Sequence, residues 1–380
     1  MKQGWEIKEF DDCLEKVVYT NKIQRKDFLE VGDYPIISQE QDFINGYWDN
    51  SDDLFKVKKP IVIFGDHTQV LKYVDFDFVL GADGVKILQP KNSIDPRFFY
   101  YFLQNMNLGS LGYARHYRLL KEIEVSYPKS LPEQQRIVSI LDEAFAAIAK
   151  AKANAEQNLQ NAKELFESYL QSVFEKKGDG WISSTIGETC KLMTGGTPST
   201  TKKEYYDGGN IKWLVSGDIN QKEIFDCEGR ITELGLENSN ARYIPVNSVL
   251  IALNGQGKTR GTVAMLRTEA TCNQSLVSIY PNDVNKVLPE LIYANLDGRY
   301  NEIRKLTGDS GNDRRGLNMP IIRNISFSYP KSLAEQQTIV RQLDALRAET
   351  QKLEAVYRKK IVDLEELKKS VLQKAFNGEL

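Results

Sequence analysis

The run Asn254-Gly255-Gln256-Gly257-Lys258-Thr259 follows an apolar stretch, Val249-Leu250-Ile251-Ala252-Leu253, and ends in the letters of a phosphate-binding loop. Such a loop, GxxxxGK[ST], cradles phosphate on main-chain amides at the start of a helix. Here Ala252 stands where the first glycine belongs, and the following GTVAML reads as a strand rather than a helix. A flexible basic β-turn is the better reading, with Lys258 and Arg260 free to reach a DNA groove. Two more clusters share this character: Tyr113-Ala114-Arg115-His116-Tyr117-Arg118 and Asn312-Asp313-Arg314-Arg315. They set cations among aromatic or amide side chains, which suits phosphate contacts, and arginine can pair bidentately with guanine. The DNA-binding candidates are therefore Lys72, Tyr113, Arg115, His116, Arg118, Asn254, Gln256, Lys258, Thr259, Arg260, Asn312, Arg314 and Arg315. A solvated charged loop is the competing reading for any one cluster. Two clusters at corresponding places shift the balance toward DNA.

Other chemistry is poorly provided for. His67 and His116 are the only histidines, and Cys13, Cys190, Cys227 and Cys272 are far apart with no CxxC pair. That spacing argues against a structural zinc site and against a disulfide framework. His67 stands beside Asp66 without a serine or cysteine in a recognisable nucleophile elbow, so it reads as structural. No catalytic residue and no metal ligand is assigned.

The 380 residues provide for two or three domains of ordinary size, and 41% apolar with 27% charged residues suits a globular chain. Acids number 52 and bases 50, a net charge of −2, so binding to nucleic acid must rest on local patches. No apolar run approaches the roughly 18 residues of a membrane span. The polar start MKQGWEIKEFDDC does not read as a signal peptide. A cytoplasmic chain is expected.

The elements that must position these loops are visible as a repeat. Tyr127–Asp142 reads YPKSLPEQQRIVSILD and Tyr329–Asp344 reads YPKSLAEQQTIVRQLD, identical at 12 of 16 positions with an offset of 202. The offset still holds forty residues on, where Leu165, Ser168, Leu170, Gln171 and Phe174 match Leu367, Ser370, Leu372, Gln373 and Phe376. Upstream, Gly4-Trp5 and Cys13 are echoed by Gly180-Trp181 and Cys190. The chain is thus two units, each a variable region followed by a constant segment. The expected boundaries are 1–130, 131–178, 179–331 and 332–380.

From Pro132 to Lys176 and from Ala334 to Phe376 there is no internal glycine or proline, and helix-forming residues dominate. Ser130 and Ser332 stand three residues before Glu133 and Glu335, the spacing of a capping box, and Gly178 and Gly378 supply the stops. Heptad spacing selects Ile339, Leu343, Leu346, Thr350, Leu353, Tyr357, Lys360, Leu364, Leu367 and Val371 in the second segment. The same offset gives Ile137, Leu141, Ala144, Ile148, Ala151, Ala155, Asn158, Ala162, Leu165 and Tyr169 in the first. Apolar residues sustained at a 3.5-residue period predict a coiled coil. Only about six residues, Lys176 to Trp181, join the first helix to the second variable region, so the pair must be antiparallel. Such a pair, about 65 Å long at 1.5 Å per residue, would act as a ruler between two readers.

Each variable region mixes short strands with a helix. Strands are expected near Ile61–Phe64, Phe76–Leu80, Val85–Leu88, Ile211–Val215, Val249–Leu253, Thr262–Leu266 and Leu276–Ile279. Helices are expected from Pro96, capped by Asp95, and from Pro289. The fold class is α+β: two small mixed domains separated by two long antiparallel helices in a coiled coil, with a pseudo-two-fold internal repeat.

The repeated YPKSLxEQQxIV…LD, the TGGTPST of Thr194–Thr200, the IKWLVSGDI of Ile211–Ile219 and the terminal KAFNGEL resemble the specificity subunits of type I restriction–modification systems. The resemblance spans nearly the whole chain and is closest in the second half. It implies a non-catalytic subunit that reads a bipartite, asymmetric double-stranded DNA target with two recognition domains. It further implies docking of two adenine-N6 methyltransferase subunits and, through them, two motor–nuclease subunits. S-adenosylmethionine, ATP and Mg would then sit on those partners, with no cofactor on this chain and no membrane. A two-headed DNA-binding adaptor for a methylation-only or other defence complex is the alternative.

Overall fold

The computed structural model describes residues 4–82, 84–109, 112, 114–175, 178, 180–255, 258–307 and 316–380. They divide into two compact units, residues 1–156 with 358–380, and residues 157–357. Each long helix contributes one half to each unit.

The first unit opens with β1 (Trp5–Glu9), then β2 (Lys22–Ile23), β3 (Tyr34–Ile37), β4 (Gly46–Trp48) and β5 (Leu54–Phe55). Next come β6 (Ile61–Gly65), β7 (Leu71–Val74), β8 (Phe78–Gly81) and β9 (Val85–Leu88). Helix α1 (Pro96–Asn105) begins at a proline, and the Asp95 carboxylate accepts from the amides of Arg97 and Phe98 at 2.9 Å, the cap expected from sequence. A short α2 (Tyr117–Leu120) and β10 (Glu124–Pro128) lead into α3 (Leu131–Glu175). One sheet has the order β2-β8-β3-β4 with β5 also on β8, another β7-β6-β9, and β1 pairs with β10.

The second unit repeats the plan. It runs β11 (Trp181–Thr185), α4 (Ile186–Thr189), β12 (Cys190–Thr194), β13 (Ile211–Leu214), β14 (Glu223–Ile224), β15 (Arg230–Ile231) and α5 (Glu233–Glu237). Then follow β16 (Val249–Ala252), β17 (Val263–Leu266), β18 (Thr271–Cys272), β19 (Leu276–Pro281), α6 (Pro289–Gly298), α7 (Tyr300–Lys305), α8 (Met319–Arg323), β20 (Ser326–Pro330) and α9 (Leu333–Asn377). The sheets are β12-β19-β16-β17-β14, β15-β13-β18 and β11-β20. The upstream echo has a structural reason: Trp5 pairs with Pro128, and Trp181 pairs with Pro330, in the same antiparallel register.

Apolar burial ties the sheet of each unit to the long helices. In the first unit Phe98, Phe99 and Phe102 of α1 share a core with Val62, Phe64, Ile137, Leu141 and, from the end of α9, Leu372, Ala375 and Phe376. In the second unit Leu291, Ile292 and Leu296 of α6 pack with Val249, Val263 and Phe327, against Phe174 and Ile339 of the long helices.

The motif that hardly varies is explained by one buried side chain in each copy. Gln134 and Gln336 are 0% exposed. The Gln134 amide donates to the carbonyls of Ser93 (2.9 Å) and Pro128 (2.7 Å), and its oxygen accepts from the Asp95 amide (2.7 Å). Gln336 donates to the carbonyls of Lys286 and Pro330 (both 2.8 Å) and accepts from the Leu288 amide (2.9 Å). Each glutamine thus bolts a long helix to the preceding strand and to the lead-in of α1 or α6. At the expected capping boxes, the Ser332 hydroxyl accepts from the Glu335 amide at 3.5 Å, whereas at Ser130 the main-chain carbonyl takes the Glu133 amide at 3.1 Å.

Helices α3 and α9 pair antiparallel within both units. In the first, Lys368 lies over the Phe145 ring (5.2 Å) and Lys152 pairs with Glu365, so one index rises as the other falls. In the second, Arg347 lies over Phe166 (5.0 Å), and the Tyr169 hydroxyl donates to Gln342 at 3.2 Å. Ile137, Leu141, Ile148, Tyr169, Ile339, Leu343, Leu346, Tyr357, Leu364 and Val371 lie in the buried or half-buried seam as the heptad requires. Leu165, Leu353 and Leu367 do not; they are 52%, 42% and 49% exposed. Leu159 and Phe166 replace Asn158 and Leu165, and Glu354, Ile361 and Lys368 replace Leu353, Lys360 and Leu367. A helix of 3.6 residues per turn drifts about 20° per heptad from a strict 3.5-residue stripe, so the contact line steps to the next residue along.

Candidate nucleic-acid interface

Strand directions gather the loops of the second unit at one end of its larger sheet. Thr194, at the end of β12, faces Val277 near the start of β19, while Ala252, at the end of β16, faces Leu276. β17 starts at the same end, with Val263 opposite Ile251. The segments 195–203, 253–255 with 258–262, and 273–275 therefore emerge together. Leu214 joins them, because its carbonyl accepts from the Asn273 amide at 2.9 Å.

Close approach builds this end. A Cβ on Gly195 would lie 1.7 Å from the Cys272 carbonyl oxygen, and one on Gly196 would lie 2.6 Å from the Asn240 main chain. The Gly196 amide donates to the Cys272 carbonyl (3.0 Å), and the Trp213 indole donates to the Gly196 carbonyl (2.9 Å). From this anchor Thr197, Ser199, Thr200, Thr201, Lys202 and Lys203 are exposed. The TGGTPST stretch carries this polar row because two side-chain-free residues let its backbone lie flat on the neighbouring turn.

The turn after β16 departs from the expectation in one residue. Asn254 and Lys258 are exposed and Thr259 is half-buried, but Arg260 is only 6% exposed. It is therefore buried in the turn rather than standing out as a groove contact. The Tyr300 and Thr262 hydroxyls donate to the Lys258 carbonyl at 2.8 and 2.7 Å, which fixes the turn. Strand β17 follows where a phosphate-binding loop would open a helix. Leu317 donates to the Leu253 carbonyl (2.9 Å), and a Cβ on Gly316 would lie 1.9 Å from Asn254 Oδ1. The segment beyond the second arginine cluster is thus held against this turn. Tyr113, Gln256, Asn312, Arg314 and Arg315 lie outside the described residues.

The first unit has the same clamp. The His116 amide donates to the Asp66 carbonyl (2.7 Å), its Nδ1 lies 3.1 Å from the same oxygen, and the Tyr117 amide donates to Asp66 Oδ1 (2.8 Å). His116 is 2% exposed and so anchors the segment instead of touching DNA, while Arg115 and Arg118 on either side are exposed. Lys72 is likewise a correction, being 3% exposed. Its ammonium bonds to the carbonyls of Asp42 and Phe43 (3.4 Å for the latter) and to Asn45 Oδ1 (3.1 Å). Burial pushes its pKa down to about 8, partly offset by Glu40 and Asp42. Lys72 ties down the 42–45 loop. Alternation along β7 carries the missed signal, since Lys72 and Val74 share the buried face while Leu71 and Tyr73 are half-buried.

Sequence comparison places this architecture among known proteins. The family model described as the type I restriction modification DNA specificity domain matches residues 2–158 and 178–362. A specificity subunit of the Escherichia coli type I restriction enzyme EcoR124I/EcoR124II is 27% identical over 336 residues, 85% of this chain and 81% of that one. The StySPI specificity subunit of Salmonella potsdam is 24% identical over 320 residues, 77% of this chain and 67% of that one. Among solved structures, a chain from a study of complex assembly and conformational transition of the type I R-M system superposes with a TM-score of 0.74. It is 16% identical, with 100% of this chain and 99% of that one covered. The HsdS subunit of Thermoanaerobacter tengcongensis gives a TM-score of 0.58 at 16% identity, covering 100% and 98%. At that identity the likeness is one of fold.

Proposed function

Because the chain belongs to the type I restriction–modification DNA specificity family, we propose that it reads a bipartite, asymmetric double-stranded DNA target, each variable region recognising one half-site. As a specificity subunit it performs no chemistry. Two adenine-N6 methyltransferase subunits dock on it and carry S-adenosylmethionine, and two motor–nuclease subunits carrying ATP and Mg join through them. The assembly works in the cytoplasm on DNA, without a membrane.

The observation that carries this reading is the repeated mounting. Gln134 and Gln336 fix the same helix start to the same strand in both units, while the loops mounted there differ. Those of one unit offer Arg115 and Arg118; those of the other offer Thr197, Asn254 and Lys258. Two different polar loop sets on one duplicated mount suit two different short sequences. The net charge of −2 suits a division of labour in which partners neutralise much of the phosphate and this chain contributes base contacts.

Methylation-sensitive long-read sequencing tests it, comparing cells that carry this chain and its methyltransferase with cells lacking only this chain. The expected result is a gapped motif with one methylated adenine in each half-site, present only with the chain. An unchanged methylation pattern would overturn the reading.

A further inference from the structure

Two exposed side chains far apart in sequence meet at the loop end of the second unit. The Thr197 hydroxyl donates to Gln274 Oε1 at 2.5 Å, and both residues are exposed. We propose that Gln274 is an adenine-reading residue in the half-site of the second unit and that Thr197 is the positioning residue that sets its amide. The inference rests on the DNA-specificity reading above and goes on to name a residue and the base it selects.

The backbone beneath the pair is held on both sides. The Asn273 amide bonds to the Leu214 carbonyl (2.9 Å), Asn273 Oδ1 accepts from the Ser275 amide (2.9 Å), and the Ser275 carbonyl accepts from the Leu253 amide (2.8 Å). Thr197 follows Gly195 and Gly196, which lie against Cys272 and Asn240 too closely for any side chain. The main chain leading into Thr197 is therefore held in place. Fixing an exposed glutamine costs rotamer entropy that a solvated surface does not return. A contact built this rigidly yields its return when the ordered amide meets a ligand, because the ordering has already been done.

Chemistry then selects the base. With Oε1 turned toward Thr197, the carboxamide edge presents Nε2 as donor and the second lone pair of Oε1 as acceptor. Adenine offers the complement in the major groove, N7 as acceptor and N6–H as donor, and glutamine pairs with it bidentately. Guanine places two acceptors, N7 and O6, along the same edge, so Oε1 would face an oxygen. The Thr197 hydroxyl holds the carboxamide in place at the loop end, and in either orientation that amide presents one donor and one acceptor, the pair that adenine matches and guanine does not.

The test uses the assembled complex of this chain with its methyltransferase and maps methylated motifs for wild type, Gln274→Ala, Thr197→Val and Thr197→Ser. Gln274→Ala should make one adenine position of one half-site degenerate. Discrimination there should fall by about 5- to 150-fold, the range of a single bidentate pair. The other half-site should be read as before. Thr197→Val should loosen the same position by less, and Thr197→Ser, which keeps the hydroxyl, should restore it. A motif unchanged in Gln274→Ala overturns the proposal, as does an equal loss at all sequences, the mark of a phosphate contact. A wild-type complex without any motif overturns the functional reading itself, a result distinct from either.

Discussion

Replacing Gln336 by leucine keeps the buried volume and removes three hydrogen bonds. The carbonyls of Lys286 and Pro330 and the amide of Leu288 lose their partner in a site with no exposure. Orphaned carbonyls are tolerated better than an orphaned amide, so about 1 kcal/mol for each carbonyl and about 2 kcal/mol for the amide is a fair apportionment. The sum, about 4 kcal/mol, is a large part of the ~5–15 kcal/mol that holds a typical domain together. At 1.4 kcal/mol per tenfold, the start of α6 should open about a thousandfold more often. Hydrogen exchange at the Leu288 amide reads this directly, because that amide is the one uncovered. Gln134→Leu should have the same effect at the Asp95 amide of the first unit and leave Leu288 alone. Protection of Leu288 in Gln336→Leu within threefold of wild type would refute the reasoning, since it would mean that water or a backbone shift replaces the glutamine.

Phe376→Ala removes a ring that meets Phe98 at 5.2 Å and Phe102 at 5.7 Å, and should cost the first unit about 3–5 kcal/mol in urea unfolding while the second is unaffected. Gly195→Ala drives a Cβ to 1.7 Å from the Cys272 oxygen; the loop must lift, with about 3 kcal/mol lost and the half-site of the second unit no longer read in methylation mapping. Lys72 supplies a pH test. Its folded pKa of about 8 lies below the ordinary 10.5, so between those values the unfolded chain binds more protons and stability rises with pH. Against Lys72→Met, wild type should gain up to about 3 kcal/mol in urea unfolding from pH 8 to 10.5, and a flat difference would show that the amine titrates normally.

The repeat, the long helices and most strands were legible because each rests on a local period or on identity between two stretches of one chain. The seam was legible only in part. Leu165, Leu353 and Leu367 satisfy a heptad written along the sequence, but the helices follow their own 3.6-residue turn, so Phe166, Glu354 and Lys368 take their places in the seam. Basic residues were chosen by charge, yet burial is set by strand alternation and by partners distant in sequence. Lys72, His116 and Arg260 look like groove contacts in one dimension and turn inward in three. Gln274 and Thr197 escaped notice for the same reason, since 77 residues separate them and only the folded sheet brings them together.

The two glutamine bolts have a consequence for how such a chain changes over generations. Every group that Gln134 and Gln336 grasp is main chain: four carbonyls and two amides. The socket therefore tests the path of the incoming backbone and is blind to its side chains. A foreign variable segment spliced in at the YPKSL boundaries needs only to follow that path to be accepted. Recombination can then install a new reader in one event, without waiting for compensating changes in the helices, and a lineage can acquire a new DNA address while its scaffold stands still.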